Sequence, residues 1–281
     1  MSRRFTLVPS NALLLDNFPN ALWAYSLRKL RLGYTGSCIR VRRSIDNAEM
    51  NIGFVNNILD ADILLSFVGS GNGFVTTRYD QSGNGNHQTQ TSASLQFRIV
   101  NAGVLDVIGG LPVVRTTAAN TTQHGNIPVS TLQSLPITLI EVTHQYALPS
   151  GGVSFTLCGS GSGANFTGRY EQARLATTLN TIRRNTAGAD FQTSPYAQSK
   201  NIQSSIYGAS NFFQRVNGTN SSTVSYAGTQ YNSASNFRNG CGQDAIYNGN
   251  IAYLESVAWL ADQTSNIAAI EANQNNYYGV F

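Results

Sequence analysis

The cadence of the chain from Leu95 onward constrains its fold more than any other feature. Short apolar runs at Phe97 to Val100, Val104 to Ile108, Pro112 to Arg115, Ile137 to Thr143, Val153 to Leu157, Ile202 to Tyr207, Phe212 to Val216 and Ile251 to Trp259 alternate with turn signals. Runs this short are too brief for helices that bury a face, whereas strands of this length joined by turns stack into antiparallel layers. Of the 281 residues only 11% are charged while 41% are hydrophobic. The surface is therefore built from Asn, Gln, Ser, Thr and Gly, which disfavours a helical bundle. The expected fold is all-β: an antiparallel β-sandwich of jelly-roll type with a few short helices. No fixed-period repeat and no linker-like stretch divides the chain, so residues 19–281 are expected to form one domain.

The N-terminal third carries different signals. From Ala21 to Leu30 the apolar residues Leu22, Ala24, Tyr25, Leu27 and Leu30 have helical spacing, which predicts a helix with Arg28, Lys29 and Arg31 on its solvated side. After the turn at Gly33-Tyr34-Thr35-Gly36, strict alternation through Cys38, Ile39, Arg40, Val41, Arg42 and Arg43 predicts a half-buried strand with an arginine-lined face. Asp60 to Phe67 reads as a short helix with an acidic first turn, Phe74 to Tyr79 as a strand, and Asp80 to His87 as a loop too rich in Gly and Asn for regular structure. A last helix is expected from Asp262 or Thr264 to about Asn273. Val8-Pro9 and Phe18-Pro19 push the residues before each proline out of helical geometry, so residues 1–18 are expected to be an extended arm.

Six of the eighteen basic residues fall between Arg28 and Arg43. A nucleic-acid footprint is one reading of such a cluster. The periodicity favours a solvated face instead, or pairing with Asp46, Glu49 or another chain. Arg28, Arg31, Arg40, Arg42 and Arg43 are accordingly the expected subunit-interface residues. No apolar stretch is long enough for a membrane span, and the first residues lack the pattern of a signal peptide. Cys38, Cys158 and Cys241 are odd in number and far apart, which predicts free thiols. His124 and His144 have no companion at metal-ligand spacing, so neither a metal nor another cofactor is expected. Trp23 and Trp259 are assigned to the core, and Glu255, inside an apolar strand, is expected to pair with an arginine.

The runs Ala24 to Leu30, Tyr34-Thr35-Gly36, Ile39 to Ser44, Asp46-Asn47 and Tyr79-Asp80-Gln81-Ser82-Gly83-Asn84-Gly85-Asn86-His87 resemble the N-terminal half of the catalytic domain of the alpha-L-arabinofuranosidase B family, most clearly over residues 21–90. Gly242-Gln243-Asp244 and Gly249 to Glu255 resemble the closing strands of concanavalin-like, laminin-G-type jelly rolls. The resemblance implies a β-sandwich and two carboxyl groups about 5–5.5 Å apart, one nucleophile and one acid then base. Asp244 stands where the family places its general acid. The family's aspartate-x-glutamate-asparagine nucleophile segment has no counterpart, and Glu171 is the fallback nucleophile. The family's adjacent cysteine pair is also missing, since Cys158 stands alone.

Related domains occur in bacteriophage virion proteins. With two departures at the chemistry, the resemblance implies a virion structural protein, a capsid decoration or a tail or fibre component. It would contact other virion subunits as a homo-oligomer, with surface glycans as further ligands, and be made in the host cytoplasm. The alternatives are a retaining glycoside hydrolase acting on alpha-L-arabinofuranosides and a carbohydrate-binding module without turnover. Asp80, Gln81, Asn86 and His87 then either face sugar hydroxyls or satisfy the amides of their own loop.

Overall fold

The computed structural model describes residues 13–117, 122–130, 133–146, 154–159, 170–175, 178–185, 188–195, 199–226, 236–240 and 250–281. Two antiparallel layers face each other. In the first, Ile251–Trp259 lies between Ala21–Ser26 and Ile137–Gln145, and Lys200–Tyr207 and Asn211–Val216 continue outward. The second runs from Glu49–Ile52 through Ile39–Arg43, Gly73–Arg78, Gln88–Thr89, Gly125–Ser130, Asn236–Asn239, Ser154–Gly159, Tyr170–Leu175 and Thr178–Asn185 to Gly188–Pro195. Phe97–Asn101 and Val114–Arg115, paired through Arg98 and Arg115, join the two layers at one edge. The expected β-sandwich is the observed fold.

Between the layers Trp23, Tyr25, Leu139 and Tyr207 of the first meet Ile127, Tyr170 and Phe237 of the second. Trp23 and Phe237 have ring centroids 5.0 Å apart, so the centre of the sandwich is an aromatic contact. The first layer is covered on its other face too. Leu14 and Leu15, with Ile267, Ile270 and Tyr278 of the helix Ile267–Tyr278, pack on Ile140, Val142, Ile202 and Leu254. Burial on both faces explains why all nine residues of Ile251–Trp259 are buried and why that strand lacks polar alternation.

The same double burial corrects the expected helix at Ala21 to Leu30. Ala21–Ser26 is a strand paired with Ile251–Trp259, and an apolar run buried on two faces shows no period that separates strand from helix. The N-terminal helix is instead Leu14–Asn17, inside the stretch expected to be an extended arm; its Leu14 and Leu15 are core residues. Residues 1–12 lie outside the described residues. The other helices are close to expectation. Ala61–Val68 is capped by the Asp60 carboxylate, which accepts from Ile63 N at 3.1 Å. The last helix starts and ends later than the spacing suggests, and closes on Gly279 in the left-handed region (φ 59°). Among the described residues no helix is long and apolar enough to cross a membrane.

Candidate active site

In antiparallel pairing a residue stands directly opposite its partner, so rows can be followed across a sheet. One such row in the second layer runs Ile182, Glu171, Gly159, Arg238, Asn126, Thr89, Thr77, Arg40, Asn51. Glu171 and Arg238 are therefore separated by a single strand, and at about 4.8 Å per strand their backbones stand roughly 10 Å apart. Gly159 sits between them and adds no side chain. The Arg238 guanidinium is fixed from its other side, donating through Nε to Asn126 Oδ1 at 2.9 Å. Asp244 and Cys241 lie outside the described residues, but the strand Asn236–Asn239 leads directly toward them in the chain.

Behind this row a buried polar chain crosses the sandwich. Arg78 donates to Gln88 Oε1 (3.2 Å), Gln88 Nε2 to Asn239 Oδ1 (2.6 Å), and Asn239 Nδ2 to Glu141 Oε1 (3.3 Å). Ser256 Oγ donates to the same Glu141 oxygen at 2.6 Å and accepts from Trp23 Nε1 at 3.2 Å. Complete burial pulls the Arg78 guanidinium below its ordinary value, and Glu141 works against that pull. Gly125 makes the close approach possible: a Cβ there would fall 2.3 Å from Gln88 Cδ. The chain ties Asn239, five residues before Asp244, to the core. Sequence reasoning did not single out Arg78, Gln88, Asn239 or Arg238, because a polar residue in a short strand gives no sign of which layer it faces.

In the loop Asp80 to His87, three of the four candidate side chains are hydrogen-bonded to the chain itself, outside the loop. Asp80 Oδ1 accepts from Ala24 N and Ser82 N at 2.9 Å each, and Oδ2 accepts from Ser82 Oγ (2.7 Å) and Asn86 N (3.0 Å). Gln81 Oε1 accepts from Leu30 N, while Nε2 donates to the carbonyls of Ser26 and Arg28. Asn86 donates its amide to the Leu22 carbonyl, and its own carbonyl accepts from the Tyr25 hydroxyl. These three side chains close the loop on the first strand, as the second of the two readings has it. His87 differs: its Nδ1 accepts from Asp80 N at 3.1 Å, and its ring meets Tyr79 edge-on at 5.0 Å beside an open groove.

Arg28 is corrected from an interface residue to a core ion pair, at 8% exposure. Its Nε lies 2.8 Å from Glu255 Oε2, with Nη2 on Oε1 at 3.2 Å and on Asn273 Oδ1 at 2.9 Å. Tyr277 and Tyr278 place their rings 4.7 and 5.3 Å from the guanidinium. Burial pulls Arg28 down, but Glu255 and Tyr278 more than reverse it, so it rests above its ordinary value. The Glu255 pairing is the one expected from its strand. The other arginines have partners within the chain: Arg31 on the Ser82 carbonyl, Arg40 on Glu49, Arg42 on Gln96 and Asn47, Arg43 on Asp46. Among the described residues no group of His, Cys, Asp or Glu gathers as for a metal. Cys38 is a buried free thiol, which burial pushes above its ordinary value. Gly159 to Gly163 falls almost entirely outside the described residues.

Residues 20–119 match the family model of the catalytic domain of alpha-L-arabinofuranosidase B. Among solved structures, a GH54 α-L-arabinofuranosidase mutant soaked with 4-nitrophenyl α-L-arabinofuranoside superimposes with a TM-score of 0.63 at 18% identity, covering 90% of this chain and 62% of its own. An arabinofuranosidase complexed with arabinofuranosyl-α-1,2-xylobiose gives 0.56 at 17% identity over the same shares. A Trypanosoma rangeli sialidase in complex with 2,3-difluorosialic acid gives 0.52 at 13% identity, covering 71% of this chain and 31% of that one. No curated protein matches. The chain thus spans about 62% of the length of the arabinofuranosidases it matches, and it is arabinofuranosidase-catalytic-domain-like in sequence over residues 20–119 and in fold over 90% of its length. These matches overturn the expected virion structural role, for which nothing in them speaks. The matched stretch ends before Glu171 and Asp244, so it describes the scaffold and not the acids.

Proposed function

We propose that the chain is a glycoside hydrolase domain acting on α-L-arabinofuranosides, with Glu171 as nucleophile and Asp244 as general acid and base. One observation carries the reading: the register places Glu171 one strand away from Arg238, and the segment holding Asp244 begins immediately beyond that strand. Gly240 is the last described residue before it, and four residues reach at most about 14 Å. The chain length from Gly240 thus permits two acids distant in sequence to meet. A retaining reaction needs that proximity.

The chemistry follows from the pair. The Glu171 carboxylate attacks the anomeric carbon while Asp244 gives its proton to the departing glycosidic oxygen, leaving an arabinosyl ester on Glu171. Asp244, now ionised, takes a proton from water, and that water displaces Glu171 from the sugar. A cleft of about 880 Å³ opens between Thr178, Ser194 and Asn217, at the end of these strands away from Glu171. Hydroxyl and amide groups make up most of its polar lining, which suits a neutral sugar chain.

The test is release of 4-nitrophenol from 4-nitrophenyl α-L-arabinofuranoside. Glu171→Gln and Asp244→Asn are each expected to lower kcat/KM by about 10³-fold or more, each having removed a group that acts in the transition state. A wild-type protein that leaves the substrate intact at high concentration over days overturns the proposal.

A further inference from the structure

At the far end of the same row, seven strands and roughly 34 Å along the layer from Glu171, lies a groove that the proposed reaction does not use. Asn51, the last residue of the row, accepts from the Tyr79 hydroxyl at 2.8 Å. Tyr79, His87, Ser37 and Tyr34 surround a hollow of about 390 Å³, and Tyr34, Phe54 and Lys29 border a second of about 360 Å³. The two hollows share Tyr34, Gly36 and Ser37, so Tyr34 lines both.

The rings are held rather than loose. Tyr34 donates to the Ser37 carbonyl at 2.9 Å and meets Phe54 edge-on at 6.2 Å. Gly36 lets the ring lie against the backbone, since a Cβ there would come within 2.5 Å of Tyr34 Oη and 2.7 Å of Cζ. Burial pushes the Tyr34 phenol up to about 12, with Cys38, Asp80 and Tyr79 adding to it. It is a neutral hydroxyl at physiological pH. The one carboxylate on the lining, Asp80, is already occupied by four donors. Fixed aromatic faces interleaved with hydroxyl, amide and imidazole groups bind the apolar face and the hydroxyls of a sugar ring together.

We infer that this groove is a second carbohydrate site, taking neutral sugar rings of a polysaccharide and centred on Tyr34, Tyr79 and His87. The row between it and Glu171 looks outward, with Arg40, Asn51 and Thr89 exposed and Thr77, Asn126 and Arg238 half-buried. A polymer lying along this face reaches both ends. Binding here does not depend on turnover at Glu171.

Electrophoresis through gels containing arabinoxylan tests the inference. The wild type is expected to be retarded relative to a polymer-free gel, and Glu171→Gln to be retarded equally, whether or not the wild type hydrolyses anything. Tyr34→Ala and Gly36→Ala, the second displacing the ring without removing it, are each expected to raise the dissociation constant about tenfold. Their unfolding midpoints report whether they fold. In the wild type, arabinoxylo-oligosaccharides are expected to shift the amide resonances of Gly36, Ser37 and Gly85, a reading that needs no variant. An unretarded wild type overturns the inference. So do full retardation of folded Tyr34→Ala and Gly36→Ala, loss of retardation in Glu171→Gln alone, shifts confined to other residues, and retardation by polygalacturonate but not by the neutral polymer.

Discussion

Two buried arginines flank the first layer, and they are stabilised in opposite ways. Arg28, on the side covered by the C-terminal helix, meets the Glu255 carboxylate with two nitrogens. Arg78, inside the sandwich, is held by the Gln88 amide oxygen and lies 5.4 Å from the Tyr25 ring and 6.0 Å from that of Tyr253, while Glu141 acts from the far end of a relay. Their guanidinium groups move in opposite directions, Arg28 above and Arg78 below the ordinary value. The first arrangement is a clamp. Glu255 also accepts from Gln274 Nε2 and the Tyr278 hydroxyl at 3.0 Å each, so one carboxylate locks the segment just after the first strand, the central strand and the last helix together. The second is a conduit that links strands of both layers, from Arg78 through Gln88 and Asn239 to Glu141.

Breaking the clamp is expected to have the largest effect. Glu255→Ala leaves Arg28 buried and uncompensated, and should cost about 3–5 kcal/mol of unfolding free energy in urea titrations. The double variant Arg28→Met, Glu255→Leu should recover most of that loss; if it recovers none, the burial of the C-terminal helix and not the charge pair dominates. The relay should yield less. Glu141→Gln keeps the volume and an acceptor for Ser256 and Asn239, so a loss of about 1–3 kcal/mol is expected. A cost equal to that of Glu255→Ala would erase the distinction between clamp and conduit.

A half-buried surface arginine sharpens the comparison at its weak end. Arg43 pairs with Asp46 at 2.7 Å on the surface. The Arg43 hydrogen bonds, with the Ala48 amide, hold the Asp46 carboxyl down at about 2. Because the folded value is depressed, whatever stability this pair adds is fully present above the ordinary carboxylate range and disappears as pH falls through about 2. Solution NMR titration of the Asp46 carboxyl should show the low midpoint, and Arg43→Met should return it toward the ordinary value while leaving the unfolding midpoint at neutral pH unchanged. A large drop in that midpoint would mean that solvent screens the pair far less than its exposure implies.

What could be read from the residues depended on how many faces were buried. Ile39–Arg43, buried on one face only, alternates and was legible. Ala21–Ser26, buried on both, carries the same apolar run that a helix would. Thr178–Asn185 and Gly188–Pro195 give almost no apolar alternation, although they pair over eight residues each; backbone hydrogen bonding, invisible in a hydrophobicity pattern, makes that hairpin. The Asp80 loop stood out by its composition, but whether its side chains turned inward or outward depended on Ala24 and Leu30, fifty and more residues earlier. His87 and Tyr34 were each visible, and nothing in their spacing placed them in one groove.

The sequence alone determined a layered β fold, the scaffold shared with arabinofuranosidase catalytic domains, and the identity of the candidate acids. Those properties reside in local pattern, strand-length apolar runs and short motifs, which need no partner to be recognised. Tertiary structure decided the rest: that Arg28 is a core residue, that Arg78, Gln88, Asn239 and Glu141 form one chain, and that Glu171 stands one strand from Arg238. Each of these is a contact between residues far apart in the chain, fixed by sheet register, and register is set by the packing of both layers at once.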